Sequence, residues 1–410
     1  AGGGGSSSSE SSEAAEGGLS VGKRMQQAVM TGVSYMVPFV AAGGLLLALG
    51  FLIGGYQIGE QVNGIDPWKQ FVTEYSLTNL PPTTVDFDGK EVAFAYPAFA
   101  LYLGSVLFAT GQAAMGFVVA ALSGYISYAM AGRPGIAPGF VGGAISVTLG
   151  AGFIGGLVTG LLSGAVAMWL GNQKVPKVLQ SLMPVVIIPL GTSLAVGLVM
   201  FLLLGRPLAA ILNGLQNWLT SMSGSSALLL GVILGLMMCF DLGGPVNKAA
   251  YLFATAGLST GDEASLKIMA AVMGAGMIPP IALSIATMLR KNLFTAAEQE
   301  NGKSAWLLGL SFISEGAIPF AASDPLRVIP ATMAGGAVTG AISMVLGVGS
   351  RAPHGGIFVF FAISPLIGWI IALVAGIAVS TVLIIVLKQF WPNKTLMAQA
   401  AKDTAQAVAA

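Results

Sequence analysis

A succession of long apolar stretches decides what this chain can fold into. The first runs from about Val29 to Ile53. Others follow near 97–130, 140–170, 183–204, 227–240, 265–289, 305–322, 328–347 and 357–387. A helix needs about 20 apolar residues to cross a bilayer. In hydrocarbon the backbone must pair its own polar groups, which a helix does internally. Several runs exceed one crossing, so some hold two crossings or a re-entrant hairpin. Hydropathy alone gives eight to eleven crossings, and the expectation is an all-α polytopic membrane protein of about ten transmembrane helices. Only 9% of residues are charged, against 55% hydrophobic, whereas a soluble domain carries about 25% charge.

The same composition excludes several functions. A net charge of +1 argues against a nucleic-acid partner. One cysteine rules out an internal disulfide or a cysteine-based metal site, and one histidine rules out a multi-histidine site. No metal ligand set is expected. No Gly-xxxx-Gly-Lys-Ser/Thr loop occurs, so the chain is not expected to hydrolyse ATP. The 57 glycines suit close helix packing and broken segments.

Residues 1–21 are Gly/Ser/Glu-rich and read as a flexible linker. Lys23 and Arg24 then place the N-terminus on the cytoplasmic side. Residues 56–95 form the longest polar stretch, with six acids against two lysines, which suits an outside loop. Lys174/Lys177, Arg290/Lys291 and the Lys388 tail are the strongest cytoplasmic signals, so the C-terminus is also expected inside.

Three polar clusters interrupt the apolar second half: Phe240–Lys248, Phe312–Arg327 and Arg351–Gly356. A carboxylate at bilayer depth costs about 2.5–3.5 kcal/mol, so a chain that keeps Glu315 there uses it. Gly and Pro beside each charge break helices, and lipid excludes such backbone unless it lines a cavity. The chemistry suits a polyol: a carboxylate accepts from hydroxyls, while Asn247 and a neutral His354 both donate and accept. Blander readings stay open for the other charges. Asp324 and Arg327, at i and i+3, fit an ion pair or a helix cap. Lys248 fits a snorkelling surface lysine, Asp241 a partner of Lys248 or Arg351, and His354 an interfacial loop residue. Cys239 reads as a small packing residue.

The strings MTGVSYMVPFVAAGGLLLALGF (30–51), RPGIAPGFVGG (133–143), FDLGGPVNKAA (240–250), FISEGAIPFAASDPLRVIPATMAGG (312–336) and APHGGIFV (352–359) resemble the fructose-type membrane IIC component of the bacterial sugar phosphotransferase system. The resemblance covers about 22–392. It implies an elevator-type homodimer in the inner membrane, with two re-entrant hairpins, a dimerisation half (22–225), a transport half (226–392) and a cytoplasmic tail (393–410). It implies a permease for fructose or a similar hexose, acting as a phosphotransferase only with a phosphocysteine IIB partner. That partner is supplied in turn by IIA and HPr from phosphoenolpyruvate, with no cofactor in this chain. Cys239 lacks the soluble context of a IIB cysteine, so IIB is expected upstream of the linker or as a separate polypeptide. On this resemblance Glu315 binds a sugar hydroxyl and helps activate it. His354, Asn247, Gly244, Pro245, Ser314, Gly316 and Gly355 are the further substrate contacts. Asp241, Lys248, Asp324, Arg327 and Arg351 are structural or gating charges. An ion-coupled sugar transporter and a membrane-bound enzyme without transport are the competing readings.

Overall fold

A computed structural model describes residues 20–221, 224–258 and 262–410. All but the last two residues of the expected linker lie outside them. Helices α1 (Val21–Gly54), α2 (Pro67–Glu74), α3 (Ala98–Gly116), α4 (Val118–Ala131), α5 (Ile136–Thr148), α6 (Gly152–Gly171), α7 (Ile188–Val199) and α8 (Gly205–Ser221) make the first part of the chain. Then come α9 (Ser225–Phe240), α10 (Pro245–Leu258), α11 (Glu263–Leu289), α12 (Ala296–Leu310), the short α13 (Ile318–Ser323), α14 (Pro325–Val345), α15 (Leu366–Phe390) and α16 (Lys394–Ala409).

Among the described residues, seven helical spans are long and apolar enough to cross a membrane. Two of these, Ala98–Ala131 and Met183–Leu215, each join consecutive helices, and α9 is a shorter apolar helix. The chain is therefore a multi-pass helical membrane protein. The all-α expectation omits two short antiparallel pairs. Strands β1 (Thr84–Phe87) and β2 (Lys90–Ala93) pair Val85 with Val92. Their turn holds Asp88 and Gly89 at φ 49° and 87°, the doubly left-handed turn that Asp-Gly favours. Strands β3 (Gly349–Ser350) and β4 (Ile363–Ser364) close the third polar cluster.

The chain divides into two compact units. Among the described residues, one comprises 20–38 and 117–214, and is packed through small residues. Gly124 lies under the Phe140 ring, and Gly160 lies 2.8 Å from Ile126 Cβ by the measure of an added Cβ. The buried hydroxyls of Ser123 and Thr159 bond to each other at 2.8 Å. The other unit comprises 39–116 and 215–410 and carries all three polar clusters. Its polar 56–95 stretch is not a floppy connection: Ile58, Phe71, Val85, Phe87, Phe94, Leu101 and Phe108 form a continuous core.

The post of this second unit is α11. Its membrane-length window is 94% buried inside the protein, as a helix apolar all round must be. Helices α9 and α14 cross in backbone contact, with Gly231 against the Gly340 carbonyl and Gly235 against that of Gly336. Without a hydrophobic drive between helices in lipid, such close approach supplies the attraction. Side-chain donors add to it: Thr339 Oγ1 donates to the Ala372 carbonyl at 2.8 Å, Ser380 Oγ to Ala331 at 2.9 Å, and Trp369 Nε1 to Ala270 at 3.2 Å.

Candidate functional site

The first polar cluster is the break between α9 and α10. Leu242 and Gly243 sit at φ 46° and 97°, which reverses the chain. Asp241 caps the new helix: Val246 N donates to Oδ2 at 2.8 Å and Asn247 N to Oδ1 at 2.9 Å. A carboxylate at a helix N-terminus is favoured by the orphan amides and by the dipole. Asn247 is buried, and its Nδ2 donates to the Met238 carbonyl at 2.8 Å, stapling the break to the end of α9. Lys248 is half-buried on the same turn.

The second cluster follows α12. Residues Ser314–Ala317 form a 3-10 turn entered through Phe312, whose φ of 67° is rare for a bulky residue. Ser314 is buried and its Oγ donates to the Gly276 carbonyl at 2.6 Å. Glu315, next in the chain, is exposed. Its Oε1 lies against Gly243 of the first cluster: a Cβ on that glycine would come within 2.7 Å of it.

The third cluster is the turn between β3 and β4. Gly355 and Gly356 sit at φ 111° and 60°, and a Cβ on Gly356 would strike the Leu310 carbonyl. Tyr251 Oη donates to the Pro353 carbonyl at 3.0 Å. The Arg351 guanidinium lies 4.8 Å above the Phe51 ring, and Gly44 of α1 gives room to Pro353. His354, half-buried, packs its ring 5.1 Å from that of Phe312. Glu315 lies within electrostatic reach of His354. Phe312 thus stands between His354 and Tyr251, whose ring is 5.8 Å away.

The three breaks therefore meet at one exposed carboxylate, with Gly243 on one side, the imidazole on another and an aromatic floor beneath. Hydroxyl groups of a polyol would find in such a place an acceptor and a donor. Of the side chains expected to touch substrate, the exposed Glu315 and the half-buried His354 are brought within electrostatic reach of each other. Ser314 and Asn247 instead spend their donors on protein carbonyls. Gly244 gives room to Asp241, whose Oδ2 would lie 2.6 Å from an added Cβ.

Asp324 and Arg327 are placed apart from this group, in a buried ionic cluster. Arg327 Nη1 lies 3.2 Å from Asp324 Oδ1, and Lys388 Nζ lies 3.1 Å from Asp324 Oδ2. Lys388 also faces Glu298 Oε2 at 3.9 Å and the Phe294 ring at 4.8 Å. Arg327 donates from Nε to the Trp391 carbonyl at 2.7 Å and stacks 4.2 Å over the Trp391 ring. The ion-pair reading of Asp324 and Arg327 describes this arrangement. Lys388, read in the sequence only as a signal of sidedness, is 3% exposed. Its two carboxylate partners lie 64 and 90 positions earlier in the chain, so no local pattern announces them.

Sequence reading passed over Gly243, Phe312 and Tyr251. Phe312 stands inside a motif string, but its left-handed backbone and its place between two rings have no local signature. It also passed over Pro279-Pro280, visible as a double break inside an apolar run.

Comparison with known proteins bears on this arrangement. The family model described as "Phosphotransferase system, EIIC" matches residues 30–335. The Escherichia coli (strain K12) protein named "PTS system fructose-specific EIIB'BC component" is 43% identical over 377 residues. That match covers 91% of this chain and 59% of the relative, so the chain spans little more than half of that protein. The Haloferax volcanii "PTS system fructose-specific EIIC component" is 41% identical over 353 residues, covering 82% of this chain and 84% of the relative. Among solved structures, the crystal structure of the transporter that is the IIC component of the N,N'-diacetylchitobiose-specific phosphotransferase system superposes with a TM-score of 0.55. It covers 92% of this chain and 95% of its own at 10% identity, a likeness of fold. The chain belongs to the phosphotransferase system EIIC family.

Proposed function

We propose that the chain is a fructose permease that presents its sugar to a phosphocysteine IIB domain at the cytoplasmic face of a bacterial inner membrane. The observation that carries this reading is the convergence of three helix breaks on the exposed Glu315 carboxylate, in a chain of the EIIC family. Relatives named fructose-specific EIIC and EIIB'BC support the sugar and the partner. A relative from Bacillus subtilis named "PTS system fructose-specific EIIABC component" supports IIA as the next donor. HPr and phosphoenolpyruvate stand further upstream, and the chain itself needs no cofactor.

In this reading Glu315 accepts one or two sugar hydroxyls and His354 contacts another. Backbone groups of Gly244, Pro245, Gly316 and Gly355 line the remainder, while Asn247 and Ser314 hold the breaks in place. Phosphoryl transfer breaks the sulfur–phosphorus bond on the partner and forms an oxygen–phosphorus bond on the sugar. The hydroxyl proton passes to Glu315. Positioning and electrostatics supply most of the acceleration in such transfers, and a placed base adds about 10²–10⁴-fold. Once Glu315 has released that proton to water, its restored charge opposes that of the sugar phosphate, which leaves the site that held the neutral sugar. Asp241, Lys248, Asp324, Arg327 and Arg351 hold the frame. About ten crossings, with re-entrant hairpins around 311–324 and 349–365, would carry the site through the membrane in an elevator-type homodimer with both termini cytoplasmic.

The test is uptake of labelled fructose into vesicles holding the chain, with and without phosphorylated IIB. Fructose phosphate should form only with phospho-IIB, should be insensitive to uncouplers, and should fall at least about 100-fold in Glu315→Gln. Gradient-dependent accumulation of unmodified sugar would overturn the proposal.

A further inference from the structure

Two prolines stand side by side in α11, the most buried of the membrane-length spans among the described residues, and the groups that answer them belong to the polar site. In a helix each N–H donates to the carbonyl four residues earlier. Pro279 and Pro280 in α11 have no N–H, so the carbonyls of Ala275 and Gly276 lose their helical donors. Both residues are buried, and a buried carbonyl must be paired. Cys239 Sγ donates to the Ala275 carbonyl at 3.2 Å, and Ser314 Oγ to the Gly276 carbonyl at 2.6 Å. Successive helical carbonyls point about 100° apart, so the two acceptors face two different segments. Cys239 lies two residues before Asp241, and Ser314 one residue before Glu315.

Packing fits the same arrangement. A Cβ on Gly276 would strike the Phe312 ring, and one on Gly316 would lie 3.3 Å from Pro280 Cβ. The turn bearing Glu315 is thus seated on α11 by Phe312 before it, by Gly316 after it and by the Ser314 bond between. A proline inside a helix costs about 3 kcal/mol, and an ordinary residue at 280 would satisfy Gly276 without help from any other segment. What the proline adds is an acceptor for Ser314.

We propose that Ser314 is the positioning residue for Glu315, keyed to the carbonyl that Pro280 releases, and that Cys239 does the same for the Asp241 break through Pro279. The consequence for transport rests on the reading of Glu315 as a sugar ligand; the anchor itself does not.

The experiment compares the purified full chain with Ser314→Ala, Ser314→Cys and Ser314→Ala/Pro280→Ala. Hydrogen exchange is followed at the amides of Ile313, Gly316 and Ile318, which bond to the carbonyls of Leu308, Ile313 and Glu315. Ser314→Ala should speed this exchange about tenfold, the factor that corresponds to one hydrogen bond of about 1.4 kcal/mol, and should raise the fructose KM with phospho-IIB. Ser314→Cys keeps a weak donor and should fall between. In the double variant the backbone N–H restored by Pro280→Ala takes the Gly276 carbonyl back, so the melting temperature should recover while exchange and KM stay altered. Recovery of all three together would show a merely structural bond and overturn the proposal. If the double variant does not fold, equal exchange in Ser314→Ala and Ser314→Cys overturns it instead. A wild type that makes no fructose phosphate would defeat the proposed function and leave the exchange result standing.

Discussion

Removing the Lys388 cation tests whether the buried ionic cluster holds the second unit together. Lys388→Met keeps most of the side-chain volume and the apolar contact with Phe294, so the loss is chiefly charge. At an effective dielectric of about 20, the pairs at 3.1 and 3.9 Å represent about 5 and about 4 kcal/mol of gross Coulomb attraction. Desolvation of the three groups offsets most of that. Breaking a buried pair by removing one partner nevertheless costs about 3–5 kcal/mol, because the remaining charge stays behind. Asp324 retains Arg327 at 3.2 Å. Glu298 fares worse: its Oε2 is buried with no hydrogen-bond partner among the described residues, so it loses its one described counter-charge. The second variant is therefore Lys388→Met/Glu298→Gln. Glutamine still serves the capping box with Thr295, which Glu298 now completes, and the remaining Asp324–Arg327 pair is neutral. We expect Lys388→Met to lose about 3–5 kcal/mol and the double variant to regain at least half of it. The assay is equilibrium unfolding in mixed micelles at neutral pH. A single variant within about 1 kcal/mol of wild type, or a double variant no better than the single, would refute the reasoning.

Two further substitutions probe close approaches. Gly243→Ala places a side chain at φ 97° and a Cβ within 2.7 Å of Glu315 Oε1. The backbone strain is about 1–2 kcal/mol, and the displaced carboxylate should lower fructose phosphorylation at least about tenfold, an effect absent if Glu315 has no part in binding. Gly340→Val pushes a branched side chain into the Gly231 carbonyl at the α9–α14 crossing. It should cost more than about 4 kcal/mol and abolish monodisperse protein on size-exclusion chromatography. A well-behaved variant would show that the two helices can part without loss.

The apolar stretches, read alone, determined the class of the molecule, because in lipid a backbone that cannot reach water has few ways to pair its polar groups. The charge in Phe312–Arg327 pointed to Glu315 for a similar reason: a carboxylate within apolar flanks is costly wherever the chain folds. The Asp-Gly turn at 88–89 went unread in the all-α expectation, although its φ requirement is carried by those two residues. Which polar residues face substrate and which face protein was not local at all. Ser314 and Glu315 are neighbours in sequence, yet one is buried against α11 and the other is exposed, and the difference is set by a proline 34 positions away. Lys388 reads as no more than a signal of sidedness until Asp324, just before α14, and Glu298, at the start of α12, meet its ammonium group. Pairings of this kind depend on distances between segments far apart in the chain, and only the packing of α11 with its neighbours decides them.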